Sequence, residues 1–354
     1  MNVAIIGAGN GGQAIAGDLS QKGHNVVLYD KNLSLISQLQ KRRCIKLEGK
    51  ISGEAKVRFA ASIRDVVKNA EIIMIATTAT AHSALAQEMA PFLEKGQIVV
   101  LNPGRTGGAL EFNEQLKHLN FNKRIYIAEA QTLIFACRVK EVGVVHIIGV
   151  KDKVLLSGLP ASDTSYIIDK IKDLYNCFIP AENVLVTSFE NIGAIFHPSV
   201  ILFNAASIER GSQFYFYREM TPTIADFIEK LDEERLAVGK AFGINLISAK
   251  DWVSFAYKDI AGNTLCDRMR NNPAYYDILA PTTIHCRQLS EDIPTGFVPL
   301  LEFGKMAEIK MPLFESILSI CSTLLNMNFS ETGRTLKKMG LENCGIEDVF
   351  NKIK

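Results

Sequence analysis

The first residues with chemical content are Gly7-Ala8-Gly9-Asn10-Gly11-Gly12, which place Gly7, Gly9 and Gly12 in a G-x-G-x-x-G pattern. Alone the pattern is common. Here it directly follows the β-branched run 3–6 and directly precedes a helical pattern beginning near Gly12. In that setting Gly7 permits a tight turn, Gly9 lets a pyrophosphate approach the backbone, and Gly12 lets the helix pack closely on the strand. The free N–H groups and positive dipole end of the helix then face the phosphates. Asp30 stands 23 residues after Gly7, at the end of the second strand-like run. There a carboxylate can accept hydrogen bonds from the adenosine ribose hydroxyls and repel a 2′-phosphate. NAD is therefore the expected cofactor. Lys31, immediately after, leaves NADP possible. The bland alternative is a glycine-rich turn with no ligand and a solvated Asp; the agreement of strand, turn, helix and acid argues against it. Gly7, Gly9, Asn10, Gly11, Gly12 and Asp30 are the first cofactor-binding candidates.

Two later strand ends add to that group. Thr77-Thr78-Ala79-Thr80-Ala81-His82 follows one apolar run, and Asn102-Pro103-Gly104-Arg105-Thr106-Gly107-Gly108 follows another. Ligands of open parallel sheets sit at the carboxyl ends of the strands. Thr78, Asn102, Pro103 and Gly104 are the candidates here, against the alternative of ordinary strand-to-helix loops.

The second half offers two clusters. Among the six histidines no pair has H-x-x-x-H spacing, so no metal site is expected. His197 lies in the otherwise apolar stretch 191–200, next to Pro198, which is expected to break or start a helix there. Such a histidine is either a satisfied core residue or a general acid/base. Cys286-Arg287-Gln288-Leu289-Ser290-Glu291-Asp292-Ile293-Pro294 supplies an Arg, two adjacent acids and a proline turn before a helix from about Thr295. An acid before a helix is usually a cap, and an isolated Arg is usually surface.

The elements that must carry these residues divide the chain in two. Runs 3–6, 25–29, 72–76, 98–102 and 124–128 read as strands, separated by helical stretches 12–22, 33–41, 83–93 and 109–119. Apolar strands alternating with helices predict a Rossmann-type α/β fold with a doubly wound parallel sheet. Segments 143–149 and 153–156 read as added strands closing that domain, and 163–177 as its last helix. After Pro180 the period is helical. Thr221-Pro222 is an N-cap followed by Pro at the first helical position, with Gly243 as the stop, and Met311-Pro312 opens a helix to about Leu325. The expected division is a dinucleotide-binding domain over 1–182 and a mainly α-helical substrate and catalytic domain over 183–354.

Composition narrows the function classes. The chain has 354 residues, enough for two domains, and 39 basic against 38 acidic side chains, a net charge of +1. That balance argues against a nucleic-acid partner and against a surface held on anionic lipid. Seven scattered cysteines, never C-x-x-C, suit reduced thiols in a cytoplasm rather than a disulfide framework. The N-terminal apolar run is too short for a signal peptide, and no uninterrupted apolar stretch of ~18 residues suggests a membrane span.

Together these residues resemble the opine dehydrogenase family of the octopine/nopaline type. The likeness is carried by the 7–12 fingerprint, the 78–82 and 103–111 loops, and segments 129–138, 191–204 around His197, and 287–299. It implies an NAD(P)H-dependent oxidoreductase acting on CH–NH donors. Such an enzyme joins an α-keto acid to the amino group of an amino acid and reduces the resulting imine. By the resemblance His197 is the catalytic histidine, Asp292 its carboxylate partner and Arg287 a substrate-carboxylate binder. Thr132 and Asn204, in two of those segments, join Arg287 as substrate-binding candidates. A homodimer is a possible assembly. One rival is a 2-keto acid or 3-hydroxy acid reductase acting on C=O. The hydroxyacid relatives that use an early lysine of the second domain fit poorly, because no lysine occurs between Lys172 and Lys230. The other rival is a non-enzymatic NAD-binding sensor.

Overall fold

Four-residue runs of Val, Ile, Leu and Met form the centre of the sheet because each is apolar on both faces and must be covered on both. The computed structural model describes residues 1–354. They divide into two compact units, one of Met1–Gly104 with Gly108–Val184 and Lys354, the other of Arg105–Gly107 with Leu185–Ile353. The boundary after Val184 lies two residues beyond the expected one. The assignment of Arg105–Gly107 to the second unit is something no local pattern announces.

The first unit carries twelve strands: β1 (Asn2–Ile6), β2 (Asn25–Tyr29), β3 (Cys44–Gly49), β4 (Gly53–Lys56), β5 (Arg58–Phe59), β6 (Ile72–Ile75), β7 (Ile98–Leu101), β8 (Tyr126–Ala130), β9 (Phe135–Glu141), β10 (Val144–Val150), β11 (Val154–Leu159) and β12 (Phe178–Pro180). Eight of them form a sheet in the order β12-β11-β8-β7-β6-β1-β2-β5. Every pairing in it is parallel except β11 with β8. The strand order reverses at β1, so the carboxyl ends of β1 and β6 mark the switch point where such sheets bind ligands.

The structure adds to the sequence reading in one respect here. Residues 143–149 are a strand of the first unit, as expected, and the second sheet they belong to is the new feature. They form β10 of a separate four-stranded sheet, ordered β4-β3-β10-β9. β3 escaped sequence reading because only Ile45 and Leu47 of its six residues face inward, between the polar Lys46 and Glu48. The helix Asn10–Gln21 packs on that inner face, where a Cβ at Gly17 would meet Leu47 at 2.9 Å.

The second unit is helical. Thr221 caps the helix Pro222–Ala241 by accepting from the Ile224 N–H, and Pro312 opens the helix Pro312–Leu324. An edge-to-face triad of Phe189, Phe242 and Phe303, with centroids 5.1 to 5.6 Å apart, anchors the core. Two expectations are overturned. Pro198 does not break its helix: Ile192–Phe203 runs through it. Proline removes the N–H that would bond the Ala194 carbonyl. The helix survives because six of the seven residues 195–201 are buried and held by neighbours. Pro294 likewise is not a turn before a new helix. The helix Arg287–Asp292 continues through a wider π turn, Ile293–Phe297, into the helix Val298–Met306. The Thr295 hydroxyl takes the carbonyl of Glu291 at 2.7 Å. The apolar stretch Val184–Phe203 has the length and hydropathy of a membrane span, but 83% of it is packed inside the protein.

Candidate active site

The dinucleotide turn is fixed by sterics. Gly7 has φ +105° and donates its N–H to the Tyr29 carbonyl at 2.8 Å. A Cβ at Gly12 would lie 1.6 Å from the Gly7 carbonyl oxygen, so no other residue fits there. At Gly9 a Cβ would meet nothing within 4 Å, which leaves an open face over the turn. The helix Asn10–Gln21 has no side-chain cap and no acid in its first turn, so its N–H groups and dipole end stay uncompensated by the protein. Asp30 is aligned by two backbone donors, Ala8 N–H on Oδ2 at 2.7 Å and Asn32 N–H on Oδ1 at 2.8 Å. Asn102 ends the adjoining strand run, is buried, and has no hydrogen-bond partner for either amide atom. An open cradle, an uncapped helix start, an aligned carboxylate and an orphaned amide fit a dinucleotide.

The remaining candidates of this unit are held by packing. Asn10 Oδ1 accepts from the Val139 N–H at 2.8 Å. A Cβ at Gly11 would sit 2.8 Å from Leu133 Cδ2. A Cβ at Gly104, after Pro103, would sit 2.2 Å from Glu129 Cγ, and Glu129 Oε2 accepts from the Ala109 N–H at 2.9 Å. Thr78 precedes the short 3-10 turn Ala79–Ala81 and accepts from the Thr80 hydroxyl at 3.2 Å. Thr132 is half-buried just after β8.

The second unit gathers charge. His197 Nδ1 and Asp292 Oδ2 are 2.6 Å apart, with the Asp292 side chain 1% exposed and that of His197 19%. Nδ1 is engaged, so Nε2 is the nitrogen left to exchange a proton. Arg105 Nη1 lies 3.2 Å from Asp292 Oδ1, and its Nη2 lies 3.3 Å from Glu291 Oε2. Arg105 also donates to Asn191 Oδ1 at 3.3 Å. Arg287, half-exposed, bonds Glu291 from one helical turn away. Burial alone would push the Asp292 carboxyl up. The charges of Arg105, then His197 and Arg287, outweigh it and hold it below the ordinary aspartate value. Phe216 and Tyr217 stand 6.1 and 6.5 Å from the imidazole. Asn204 turns its amide back to the Val200 carbonyl at 2.9 Å, on its own helix. Of the candidates here, the structure thus brings His197, Asp292 and Arg287 into one network and leaves Asn204 outside it.

Arg105 is the member that sequence reading passed over. It lay in a loop read as cofactor-facing, yet residues 105–107 are tied to helical partners. Thr106 N–H donates to the Thr295 carbonyl at 3.1 Å, its hydroxyl to the Ser188 carbonyl at 3.0 Å, and Arg334 donates to the Thr106 carbonyl at 2.8 Å. The one available signal was an arginine flanked by small residues, which needs acids once buried, and an adjacent acid pair elsewhere in the chain.

Comparison with known proteins identifies the family. Residues 180–325 match the family described as NAD/NADP octopine/nopaline dehydrogenase, alpha-helical domain. Residues 2–106 match the NAD-dependent glycerol-3-phosphate dehydrogenase N-terminus. The chain is 36% identical to an opine dehydrogenase of Arthrobacter sp. (strain 1C) over 353 residues, covering 99% of this chain and 98% of that one. An octopine dehydrogenase solved with NADH and L-arginine superposes with a TM-score of 0.81 at 19% identity, over 100% of this chain and 98% of the other. A yersinopine dehydrogenase with NADP+ bound gives 0.70 at 13% identity, over 100% and 97%. The chain belongs to the opine dehydrogenase family of NAD(P)-dependent oxidoreductases.

Proposed function

We propose that the protein reduces the imine formed between an α-keto acid and the amino group of an amino acid, with NADH preferred over NADPH. The observation that carries this reading is the 2.6 Å His197–Asp292 pair. When bound, NADH supplies the hydride. The protein's own groups do the rest. Arg287 binds the keto-acid carboxylate through its planar fork, which fixes the plane of the reacting carbon. Condensation requires the carbinolamine hydroxyl to depart as water. His197 gives the proton from Nε2, while Asp292 holds Nδ1–H and stabilises the imidazolium. Loss of water leaves an iminium, C=N+–H, whose carbon a hydride would convert to the secondary amine with no further proton required, and His197 is left neutral. In the reverse direction neutral His197 acts as base. Thr132 and Asn204 are kept as further substrate contacts. The cofactor preference rests on Asp30, whose two backbone donors hold its carboxylate in place. We place the enzyme in the cytoplasm, on its seven free cysteines. A homodimer is the simplest closed assembly, read by light scattering.

The test crosses a panel of α-keto acids with a panel of amino acids and follows NADH absorbance. Oxidation that depends on both partners, with a secondary-amine product, supports the reading. Full oxidation with keto acid alone and a 2-hydroxy acid product replaces it with a simple carbonyl reductase.

A further inference from the structure

We propose that Arg105 is the positioning residue that keeps the buried Asp292–His197 pair able to release its proton. Its guanidinium is buried, with one arm on each neighbouring carboxylate, 3.2 Å from Asp292 Oδ1 and 3.3 Å from Glu291 Oε2. That leaves Asp292 Oδ2 for His197. The surroundings are cut to admit it. Gly193 stands where any Cβ would lie 2.4 Å from Arg105 Nη1, and Arg105 itself holds the left-handed φ of +61°. A non-glycine residue adopts that φ at some cost, so the packed loop must hold it there.

The charges give the reason. The cluster holds two cations, Arg105 and Arg287, and two carboxylates, Glu291 and Asp292, so it is neutral when His197 is neutral and +1 when His197 is protonated. Without Arg105 the same group is −1 with neutral His197 and neutral with protonated His197. A buried net charge is costly, so the pair would then keep its proton to higher pH. The other ionisable groups nearby have partners elsewhere or belong to the cluster. Tyr217 acts on Arg105 directly. On the helix Pro222–Ala241, Arg235 pairs with Asp232 at 2.7 Å and with Glu190 at 3.3 Å. On the helix Ala249–Ala256, Asp251 pairs with Arg268 at 3.0 Å. The helix Pro222–Ala241 also carries Asp226, Lys230, Glu233 and Lys240, all exposed, the half-buried Glu229, and Glu234, whose carboxylate accepts from the Leu313 and Phe314 N–H groups. The other packed elements add Glu209, on the short helix Ala205–Glu209, and Lys250, and the His197 helix itself carries no other ionisable group. A keto-acid carboxylate would restore neutrality to the protonated cluster, so substrate binding and protonation should favour each other. That corollary rests on the proposed function; the proposal about Arg105 does not.

The test is a pH titration of the His197 ring resonances in protein carrying ring-labelled histidine, without substrate, assigned by their loss in His197→Asn. The other five histidines are internal controls. Arg105→Gln should raise the midpoint of the His197 titration by about one pH unit, a tenfold change in proton affinity. Arg105→Lys, which keeps the charge, should return it to within a few tenths of a unit. Glu291→Gln, which removes a negative charge and keeps Arg105, should lower it. The pH profile of the enzymatic reaction in each direction should move with it. If Arg105→Gln does not fold, the Lys and Glu291→Gln variants decide: a midpoint unmoved by Glu291→Gln overturns the proposal. So does a midpoint unmoved by Arg105→Gln together with activity lost equally at every pH, which is what a merely structural anchor would give. Failure to find imine reduction would leave the titration readable, so the two readings fail separately.

Discussion

The two sites of this protein are built in opposite ways. The dinucleotide turn is made by neighbours in sequence, residues 7–12 with Asp30, and its specificity lies in what is missing: a Cβ at Gly12, a capping side chain at Gly9, an acid in the first helical turn. The proposed proton-transfer site is made by residues 105, 191, 197, 287, 291 and 292, and lies in what is added, a balanced group of charges, most of them buried. The first needs only backbone geometry and tolerates few substitutions on steric grounds. The second needs tertiary structure to collect its members, and it responds to substitution through charge.

The largest expected effect falls on the second site alone. His197→Asn should lower turnover by roughly 10²–10⁴, the usual cost of a lost general acid/base, while NADH titrated by fluorescence still binds as before. Asp292→Asn should also slow turnover, and the double variant should lose less than the product of the two, because the residues act as a unit. Additive losses would separate the pair.

Next comes Arg287, the proposed binder of the keto-acid carboxylate. Arg287→Lys keeps the charge and loses the fork, so the keto-acid KM should rise by tens-fold, with the NADH Kd unchanged. An unchanged KM would mean that Arg287 serves only Glu291.

A smaller effect belongs to the first site. Asp30→Ala should weaken NADH by about tenfold, the scale of a charge-assisted hydrogen-bond pair, and narrow the gap to NADPH while kcat at saturation holds. Tighter binding of NADPH by the wild type would reverse the role given to Asp30 and move phosphate recognition to Lys31.

The smallest effect is on stability. Burial alone would raise the Asp292 carboxyl; Arg105 and His197 instead depress it. A depressed carboxyl stabilises the fold above its unfolded value and loses that contribution as pH falls below about 4 toward its folded value. Melting curves between pH 6 and pH 3 should therefore fall less steeply for Asp292→Asn than for the wild type, from a lower starting point. Parallel curves would place the acid sensitivity elsewhere.

The same contrast explains what could be read from the sequence. Gly7, Gly12 and Asp30 were legible because the turn follows one fixed spacing in a strand–turn–helix unit, with Gly12 packed on Gly7 five residues earlier. His197 and Asp292 were legible as candidates, but their 2.6 Å contact spans 95 residues and no periodicity encodes it. Arg105 was hidden because its strand-end loop resembled the cofactor loops of the first unit while its partners lay 186 residues further on. Pro198 and Pro294 were misread for a different reason. Local propensity predicts a break at each, and buried packing with a π turn overrides it. β3 was missed because its two inward residues made too weak an alternation.

The central claim, that His197 with Asp292 supplies the proton for the condensation whose imine is then reduced, meets its most direct test in one assay. NADH oxidation is measured with an α-keto acid plus either an amino acid or its N-acetyl derivative, in the wild type and in His197→Asn. Oxidation by the wild type that needs the free amine, and falls by at least a hundredfold in His197→Asn, is the predicted result. Equal oxidation with the N-acetyl derivative, or with no amine, would contradict the imine chemistry, and full activity in His197→Asn would contradict the role of the pair.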